Sequence, residues 1–430
     1  LRRRTELPQN QKMMNRDVLQ KVEILIQQEK YREARRILED LLPQSPDDGF
    51  IYMALAEVYQ NLKEYDKALE LINTAIGLEP ESGDAYQRKA NILLSMDRFK
   101  EADDVLDRAI ELSPWDADNY GLRAFIMAAN LQFEGALYWA DKTLEADPKN
   151  LLGLNIRSTS LMKLNRQEES FQTIENALEE DPDNPYTHAN HGWNLLERGD
   201  HQKALIHFRE ALRLDPDMEY ARDGMADALQ SKYWPYRMFM KYAFWMGNLT
   251  EKYKWGVIIG LYLALNALNN LAERNETLRP YLYPVVVAIT IWAFSTWITR
   301  PLSNLTLRFH PFGKYLLNDR GKMATNFVGL SLLLCLVGGL GYLISGHFGW
   351  AALGGFGLTM MLPLGSMLTR QSNYILPVYT GVLAILGLWA VVIAFSVNEM
   401  WNTVALIYIG GVFVYQWVAN FVIMRSNRYL

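Results

Sequence analysis

Cysteine is nearly absent from this chain of 430 residues, because Cys335 is its single example. A disulfide framework is therefore excluded, and the sequence gives no sign of an oxidising compartment. Residues 1–230 are poor in cations, with 28 Lys and Arg against 43 Asp and Glu, whereas residues 231–430 are poor in acids, with 15 Lys and Arg against 5 Asp and Glu. Because phosphate contacts need Lys and Arg, we expect no nucleic acid among the partners of the acidic half.

Signatures of catalysis are missing as well. The chain has no His-Glu-x-x-His motif, and Ser366 follows a glycine but has no histidine after it. No ionisable residue lies well inside the apolar stretches described below, which disfavours a pump or coupled transporter. We therefore predict a protein that is not an enzyme, with no catalytic residue and no cofactor.

A cluster of histidines suggests a metal site but does not require one. Four of the six histidines fall within 20 residues: His188, His191, His201 and His207. Two of them, His188 and His191, occupy helix-packing positions, and no cysteine is nearby to complete a ligand set. We favour ordinary packing residues and predict no metal.

Prolines recur in the first half at a fixed interval of 34 residues: Pro46, Pro80, Pro114, Pro148, Pro182 and Pro216. Such a period is the mark of an internal repeat. Between two prolines, apolar and small residues follow helical spacing in two segments, first Tyr52, Leu55, Ala56 and Tyr59, then Ala68, Ile72 and Ala75. Each repeat is therefore predicted to be a pair of helices that ends at its proline.

The order of large, small and aromatic residues resembles the tetratricopeptide repeat. Two further units carry the same pattern, in Tyr86, Ala90, Leu93, Ala102, Leu106 and Ala109 and in His188, Gly192, Leu195, Ala204, Phe208 and Ala211. The resemblance implies an all-α fold, an N-terminal superhelical solenoid followed by a six-helix transmembrane bundle. We divide the chain into a tail, residues 1–12; six repeats and a capping helix, residues 13–230; a junction, residues 231–254; and a membrane domain, residues 255–430.

In this family the first helices of the repeats line a groove that binds a partner. The positions that correspond here are predicted to be partner-binding: Phe50, Met53, Glu57, Gln87, Asn91, Phe125, Asn155, Tyr186 and Trp193. Lys and Arg are nearly absent from these positions, so the carboxylate clamp of well-known members is not expected. Aromatic rings beside acids favour an apolar or basic segment of a protein partner. A second interpretation is that individual aromatic residues pack between repeats and bind nothing.

The junction mixes aromatic rings with cations. Trp234, Tyr236, Arg237, Lys241, Trp245 and Lys254 are predicted to lie at a membrane interface, where rings sit at the headgroup level and cations meet anionic lipid. The same mixture occurs in proteins that bind single-stranded nucleic acid. The apolar sequence that follows at once favours the lipid bilayer.

Six apolar stretches follow, each about long enough to cross a bilayer at roughly 20 residues per helix. We place them near Trp255–Leu271, Leu282–Ile298, Phe327–Ile344, Phe348–Leu368, Ile375–Val397 and Thr403–Ile423. With the repeats in the cytoplasm, 13 of the 15 Lys and Arg of this half face inward, as the positive-inside rule requires. We therefore expect the repeats and the C-terminus on the cytoplasmic side, in a bacterial inner membrane.

These observations lead to two main hypotheses. The first is a membrane-anchored adaptor or scaffold, which binds a protein partner and forms one subunit of a larger membrane complex in secretion, insertion or assembly. The second is a membrane enzyme or transporter that the repeats regulate, with Ser366 or the connection Arg300–Asn326 as its site. A role in handling or shaping lipid through the junction is a third.

Overall fold

The computed structural model describes residues 9–249, 251–310, 313, 316–368 and 374–426. Side chains are described in the same ranges except at residues 9–17, 251, 252, 254, 258, 291, 294, 297 and 420–426. All regular structure within these ranges is helical. The chain divides into two compact units, Leu1–Glu180 and Asp181–Leu430. The tail at residues 1–8 lies outside the described residues, and the domain bounds given above stay a prediction.

The first unit contains five helix pairs. Their helices are α1 Gln9–Gln27, α2 Tyr31–Leu41, α3 Gly49–Asn61, α4 Tyr65–Leu78, α5 Gly83–Ser95, α6 Phe99–Leu112, α7 Ala117–Ala129, α8 Phe133–Ala146, α9 Leu151–Lys163 and α10 Gln167–Glu180. Each pair buries the small residues that the sequence pattern marks, for example Ala68, Ile72 and Ala75 of α4. The predicted two-helix repeat is confirmed in each pair.

Polar residues begin the first helices of the repeats at the same 34-residue interval. Asp48, Ser82, Asp116 and Asn150 each accept a hydrogen bond from a backbone N–H two or three residues onward. Such a cap satisfies a donor that has no partner within the helix and stabilises the helix by about 1 kcal/mol. The start of α3, α5, α7 and α9 is therefore set locally.

The turn within each pair has a left-handed residue at the same interval. In the first unit these residues are Glu29, Lys63, Asp97, Leu131 and Asn165, with φ between 59° and 63°. In the second unit the corresponding residue is Gly199, with φ 97°. Only the last of the six has the glycine that this backbone region favours. The sequence pattern did not reveal this turn, because its residues share no chemistry.

Ser158 and Ser170 take the place of two small packing residues in the pair α9–α10. The Ser158 hydroxyl donates to the Ser170 carbonyl at 3.0 Å, and the Ser170 hydroxyl donates to the Ser158 carbonyl at 2.8 Å. Both side chains are fully buried, and the reciprocal bonds satisfy them. The exchange of alanine for serine therefore costs this pair little.

The second unit contains the last repeat and the helices that follow it. These are α11 Pro185–Arg198, α12 His201–Leu214, α13 Glu219–Gln230, α14 Trp234–Gly247, α15 Glu251–Arg274, α16 Arg279–Phe309, α17 Asp319–Ser345, α18 Phe348–Ser366, α19 Ile375–Val397 and α20 Thr403–Ser426. The connection predicted over Arg300–Asn326 is largely helical, because α16 continues to Phe309 through Pro301 and α17 begins at Asp319.

Four helices among the described residues are long and apolar enough to cross a membrane. They are Trp255–Arg274, Asp319–Ser345, Phe348–Ser366 and Ile375–Val397. Thr403–Ala419 is a shorter apolar helix, and α16 contains Pro284 and Pro301. The structure therefore supports four candidate spans, whereas the sequence predicted six.

Glycines bring α17 and α18 into backbone contact. A methyl group on Gly338 would overlap the backbone of Gly354, and one on Gly357 would overlap the backbone at Cys335. On the far side of α18, the Tyr408 hydroxyl of α20 lies 2.6 Å from that of Thr359. Small residues that permit close approach and hydroxyls that bond between helices are the packing devices of membrane bundles.

Ser366 also belongs to this packing. Its hydroxyl donates to the Leu362 carbonyl at 2.8 Å and lies 3.0 Å from the Tyr415 hydroxyl, which in turn donates to the Pro363 carbonyl at 3.2 Å. These contacts join α18 to α20 and give Ser366 a structural role.

Candidate functional site: the first-helix face and the junction

Part of the predicted groove in the first unit presents open side chains. Phe50 at the start of α3 is 46% exposed, and Asp84 at the start of α5 is exposed. Asn91 and Phe125 are half-buried. Met53 and Asn155, predicted with them, are 7% and 2% exposed and pack inside the unit. The accessible part of this face therefore lies at the beginnings of the first helices.

Two of the predicted groove residues bond to the next repeat. Glu57 forms an ion pair with Arg88, and the Gln87 amide donates to the Asp116 carboxylate at 2.6 Å. Arg88 did not stand out in the sequence, because only the repeat geometry brings α5 beside α3. The negative charge of Glu57 is therefore partly compensated, and Asp84 is the more open acid on this face.

A cation is also held between α6 and α8. Arg123 forms ion pairs with Asp103 and Asp107, and its guanidinium lies 5.0 Å from the centre of the Trp139 ring. These partners leave little of Arg123 for a ligand, since its side chain is only 11% exposed. We interpret it as a structural residue.

The last repeat differs, because its own chain covers Trp193. The Trp193 indole N–H donates to the Tyr220 carbonyl at 3.3 Å, and the ring lies edge-on to Phe244 of α14 with centroids 6.5 Å apart. One turn further on, the Asn248 amide donates to the Glu197 carboxylate at 2.7 Å. A helix from the junction therefore occupies the face that the sequence predicted to receive a partner, while Tyr186 stays 40% exposed.

Three of the four clustered histidines meet in the second unit. The His191 and His207 rings lie 4.1 Å apart, and Nδ1 of His188 lies 3.2 Å from Nδ1 of His207. Burial lowers the pKa of His191 to about 3 and that of His207 to about 4, and the neighbouring histidines add to both shifts. A search of the described residues for groups of three or more His, Cys, Asp or Glu able to hold a metal ion finds none.

The capping helix α13 meets α14 and α16 through a buried polar cluster. The Tyr236 hydroxyl donates to the Asp227 carboxylate at 2.8 Å, and the Gln230 amide donates to the Asn304 side-chain oxygen at 3.3 Å. Burial raises the pKa of the Asp227 carboxyl above its usual range, while the charge of Arg300 opposes that shift. Arg300 keeps solvent-exposed surface, so it compensates the acid only in part.

The predicted membrane-interface residues separate onto two faces of α14. Trp234 and Trp245 are 65% and 50% exposed, and Arg237 and Lys241 are exposed as well. Tyr236, in contrast, is 4% exposed and belongs to the polar cluster. The side chain of Lys254 lies outside the described residues. The sequence pattern identified the mixture but not which ring faces the protein.

Comparison with known proteins identifies the repeats. Two family models described as tetratricopeptide repeat match the chain, one at residues 25–92 and 63–126 and the other at residues 157–219. These stretches belong to the tetratricopeptide repeat family, which confirms the resemblance seen in the sequence. No curated protein matches the chain.

Solved structures of similar repeats cover about half of the chain. YrrB, a tetratricopeptide repeat protein with an unusual peptide-binding site, is 19% identical over 43% of this chain and 95% of its own, with a TM-score of 0.32. PilW, a type IV pilus biogenesis factor, is 18% identical over 50% and 99%, with a TM-score of 0.43. PilF of Pseudomonas aeruginosa is 16% identical over 51% and 100%, with a TM-score of 0.43.

Proposed function

We propose that this chain is a membrane-anchored adaptor. Its repeats bind a segment of a protein partner at the cytoplasmic face of a bacterial inner membrane, and the chain forms one subunit of a larger membrane complex for secretion, insertion or assembly. The observation that carries this proposal is the joining, in one chain, of tetratricopeptide repeats with helices apolar enough to cross a membrane.

The proposed membrane domain has six spans, in which α16 and α20 join the four candidate helices. Arg300 and Arg308 lie near the end of α16, and Arg320 and Lys322 lie near the start of α17. These four cations would share the cytoplasmic side with the repeats, in keeping with the positive-inside rule. The C-terminus would lie on the same side.

The chemistry of the partner follows from the open residues of the first unit. Phe50 offers an apolar contact and Asp84 a negative charge, both at the beginnings of first helices. A segment that combines apolar side chains with Lys or Arg would satisfy both. The ion pair of Glu57 with Arg88 leaves less charge in between, so we propose a short basic segment and not a long basic tail.

Site-specific photo-crosslinking in native membranes tests this proposal. A benzophenone amino acid replaces Phe50 or Asp84 on the first helices, and matched controls replace Tyr138 or Glu70 on second helices. Tyr138 is 55% exposed and Glu70 is exposed, so the controls are equally open to solvent. We expect one protein to be captured several-fold more strongly from the first-helix positions.

The partner chemistry is tested in the same membranes. A synthetic peptide of alternating Leu and Lys should reduce the crosslink from position 50, whereas a peptide of Leu and Glu should not. Equal capture at all four positions, or no captured protein at any of them, would contradict the adaptor proposal.

A further inference from the structure

Helix α14 has two opposite faces, and only one of them is used by the rest of the chain. Tyr236 and Met240, one turn apart, are 4% and 8% exposed. Trp234, Met238 and Trp245 lie on the other side at helical spacing and are 65%, 59% and 50% exposed. Three large apolar side chains on one open stripe of a 14-residue helix are more than scattered surface residues.

The charge on the open face has one sign. Lys232, Arg237 and Lys241 are exposed on or beside α14, and the sequence from 231 to 249 contains no acid. Among the acids of neighbouring helices, Asp227 is buried against Tyr236, and Glu197 accepts the Asn248 amide on the protein side. A ligand of this face therefore has to be both apolar and anionic, as the headgroup layer of an anionic bilayer is.

Contacts with α16 give the direction of α14. Near its start, Tyr236 lies beside Ser303 and the charge of Arg300. Six residues later, Tyr242 lies edge-on to Trp292, with ring centroids 5.1 Å apart. Ser303 and Trp292 are 11 residues apart on α16, which corresponds to about 16 Å along the helix axis. The end of α14 therefore lies against the apolar part of α16, and its start lies at the basic end.

We propose that the open face of α14 lies obliquely in the headgroup layer of an anionic membrane, with Trp245 deeper than Trp234. This inference rests on the proposed membrane anchoring. It assigns α14 a lipid ligand, phospholipids with a net negative headgroup, and gives the helix an orientation. Aromatic rings then lie at the interface, while Lys232 and Arg237 meet the phosphates.

Spin labels on the full chain test the orientation. In a Cys335→Ser background, single cysteines replace Trp234, Met238 or Trp245, and Trp115→Cys, in a repeat turn and 75% exposed, serves as the aqueous control. The proteins are reconstituted into vesicles of phosphatidylcholine and phosphatidylglycerol. We expect the ratio of oxygen to nickel-chelate accessibility to rise several-fold from position 115 to 245, with 234 and 238 in between.

Several outcomes would overturn the proposal. Labels at 238 and 245 that match position 115 place the face in water, and labels shielded from both reagents place it against protein. Equal depth at 234 and 245 removes the oblique orientation. Flotation of the same vesicles separates this result from a failure of anchoring, because an anchored protein floats whatever the position of α14.

The choice of anionic lipid is tested by charge. In vesicles of phosphatidylcholine alone, we expect the label at 238 to shift toward water. The variant Lys232→Gln, Arg237→Gln, Lys241→Gln should show that same shift in anionic vesicles, whereas Lys100→Gln in the repeats should show none. A label at 238 with the same depth in neutral and anionic vesicles would refute the part of the proposal that concerns headgroup charge.

Discussion

Helix pairs in the two parts of this chain are held together by different means. In the repeats, α4 packs on α3 through alanine and isoleucine side chains, and Lys67 pairs with Glu64 on the surface. In the C-terminal part, α17 and α18 touch through glycines, and their outer faces are apolar, as at Leu333 and Leu340. Water drives the first kind of contact, whereas helices surrounded by lipid gain from close packing and hydrogen bonds.

Polar side chains follow the same division. Among the ion pairs within the described residues, those from Arg35 to Arg222 lie in the repeats and capping helix, and Lys322–Asp319 lies beyond them. In the C-terminal helices hydroxyls take over, as where Tyr379 donates to the Gly411 carbonyl at 3.0 Å. A neutral hydroxyl can lose its water at a much smaller cost than a charge. The difference indicates which surroundings each part is built for.

The largest effect should come from filling the contact between α17 and α18. We expect Gly338→Val to destabilise this helix pair by about 3 kcal/mol or more, because the added atoms meet the backbone of Gly354, which no side-chain movement can relieve. The neighbouring Gly339 has no atom within 4 Å of an added methyl, so Gly339→Val is the matched control. Thermal unfolding in detergent measures both, and an equal change in the two variants would contradict the packing described.

The next effect concerns the water-facing repeats and depends on pH. Because burial holds the pKa of His191 at about 3, below its ordinary value near 6.5, the unfolded state takes up the proton first as the pH falls. Stability is therefore complete above about pH 6.5 and decreases toward the folded pKa, by about 2 kcal/mol at pH 5 for this one group.

Hydrogen exchange of α11 and α12 at pH 7 and pH 5 checks this expectation. His191→Leu should remove part of the loss, leaving the contribution of His207, while His201→Gln should behave as the unaltered protein. The same loss at pH 5 in the His191→Leu variant would show that another group is responsible.

The smallest effect compares one chemical change in both parts. Tyr236→Phe removes the donor to the buried Asp227 carboxylate and should cost about 1.5 kcal/mol. Tyr408→Phe removes a bond to the neutral Thr359 hydroxyl and should cost about 0.6 kcal/mol. Tyr233→Phe, at a ring that is 54% exposed, is the control. Thermal unfolding would contradict the comparison if Tyr408→Phe were the more damaging.

The repeat fold could be predicted from sequence because its information is local. The prolines, the small residues and the helical spacing all recur within 34 residues, and the buried residues of α3 to α6 match that pattern. The number of spans is less certain from sequence. Pro284 and Pro301 within α16 and the short apolar part of α20 make length and hydropathy weaker guides there.

The site could be predicted only in part, because the missing information is non-local. Trp193 and Phe244 are 51 residues apart, and no spacing rule brings them together. Tyr236 shares its composition with the open face of α14, yet the carboxylate of Asp227 draws it to the opposite side. The open residues Phe50 and Asp84 needed only the repeat register, so their exposure followed the family pattern.

The left-handed turn residues have a consequence for how the array opens. In the first unit the same backbone turn is formed by Glu29, Lys63, Asp97, Leu131 and Asn165, whatever the side chain. The hydrogen bonds of that turn stay within it, as from Lys63 N–H to the Gln60 carbonyl and from Glu64 N–H to the Tyr59 carbonyl. Each repeat therefore encodes its own reversal of direction and relies on its neighbours only for burial. Such a chain of modules melts by fraying from an end, so a partner that grips several repeats would suppress that fraying along its whole length.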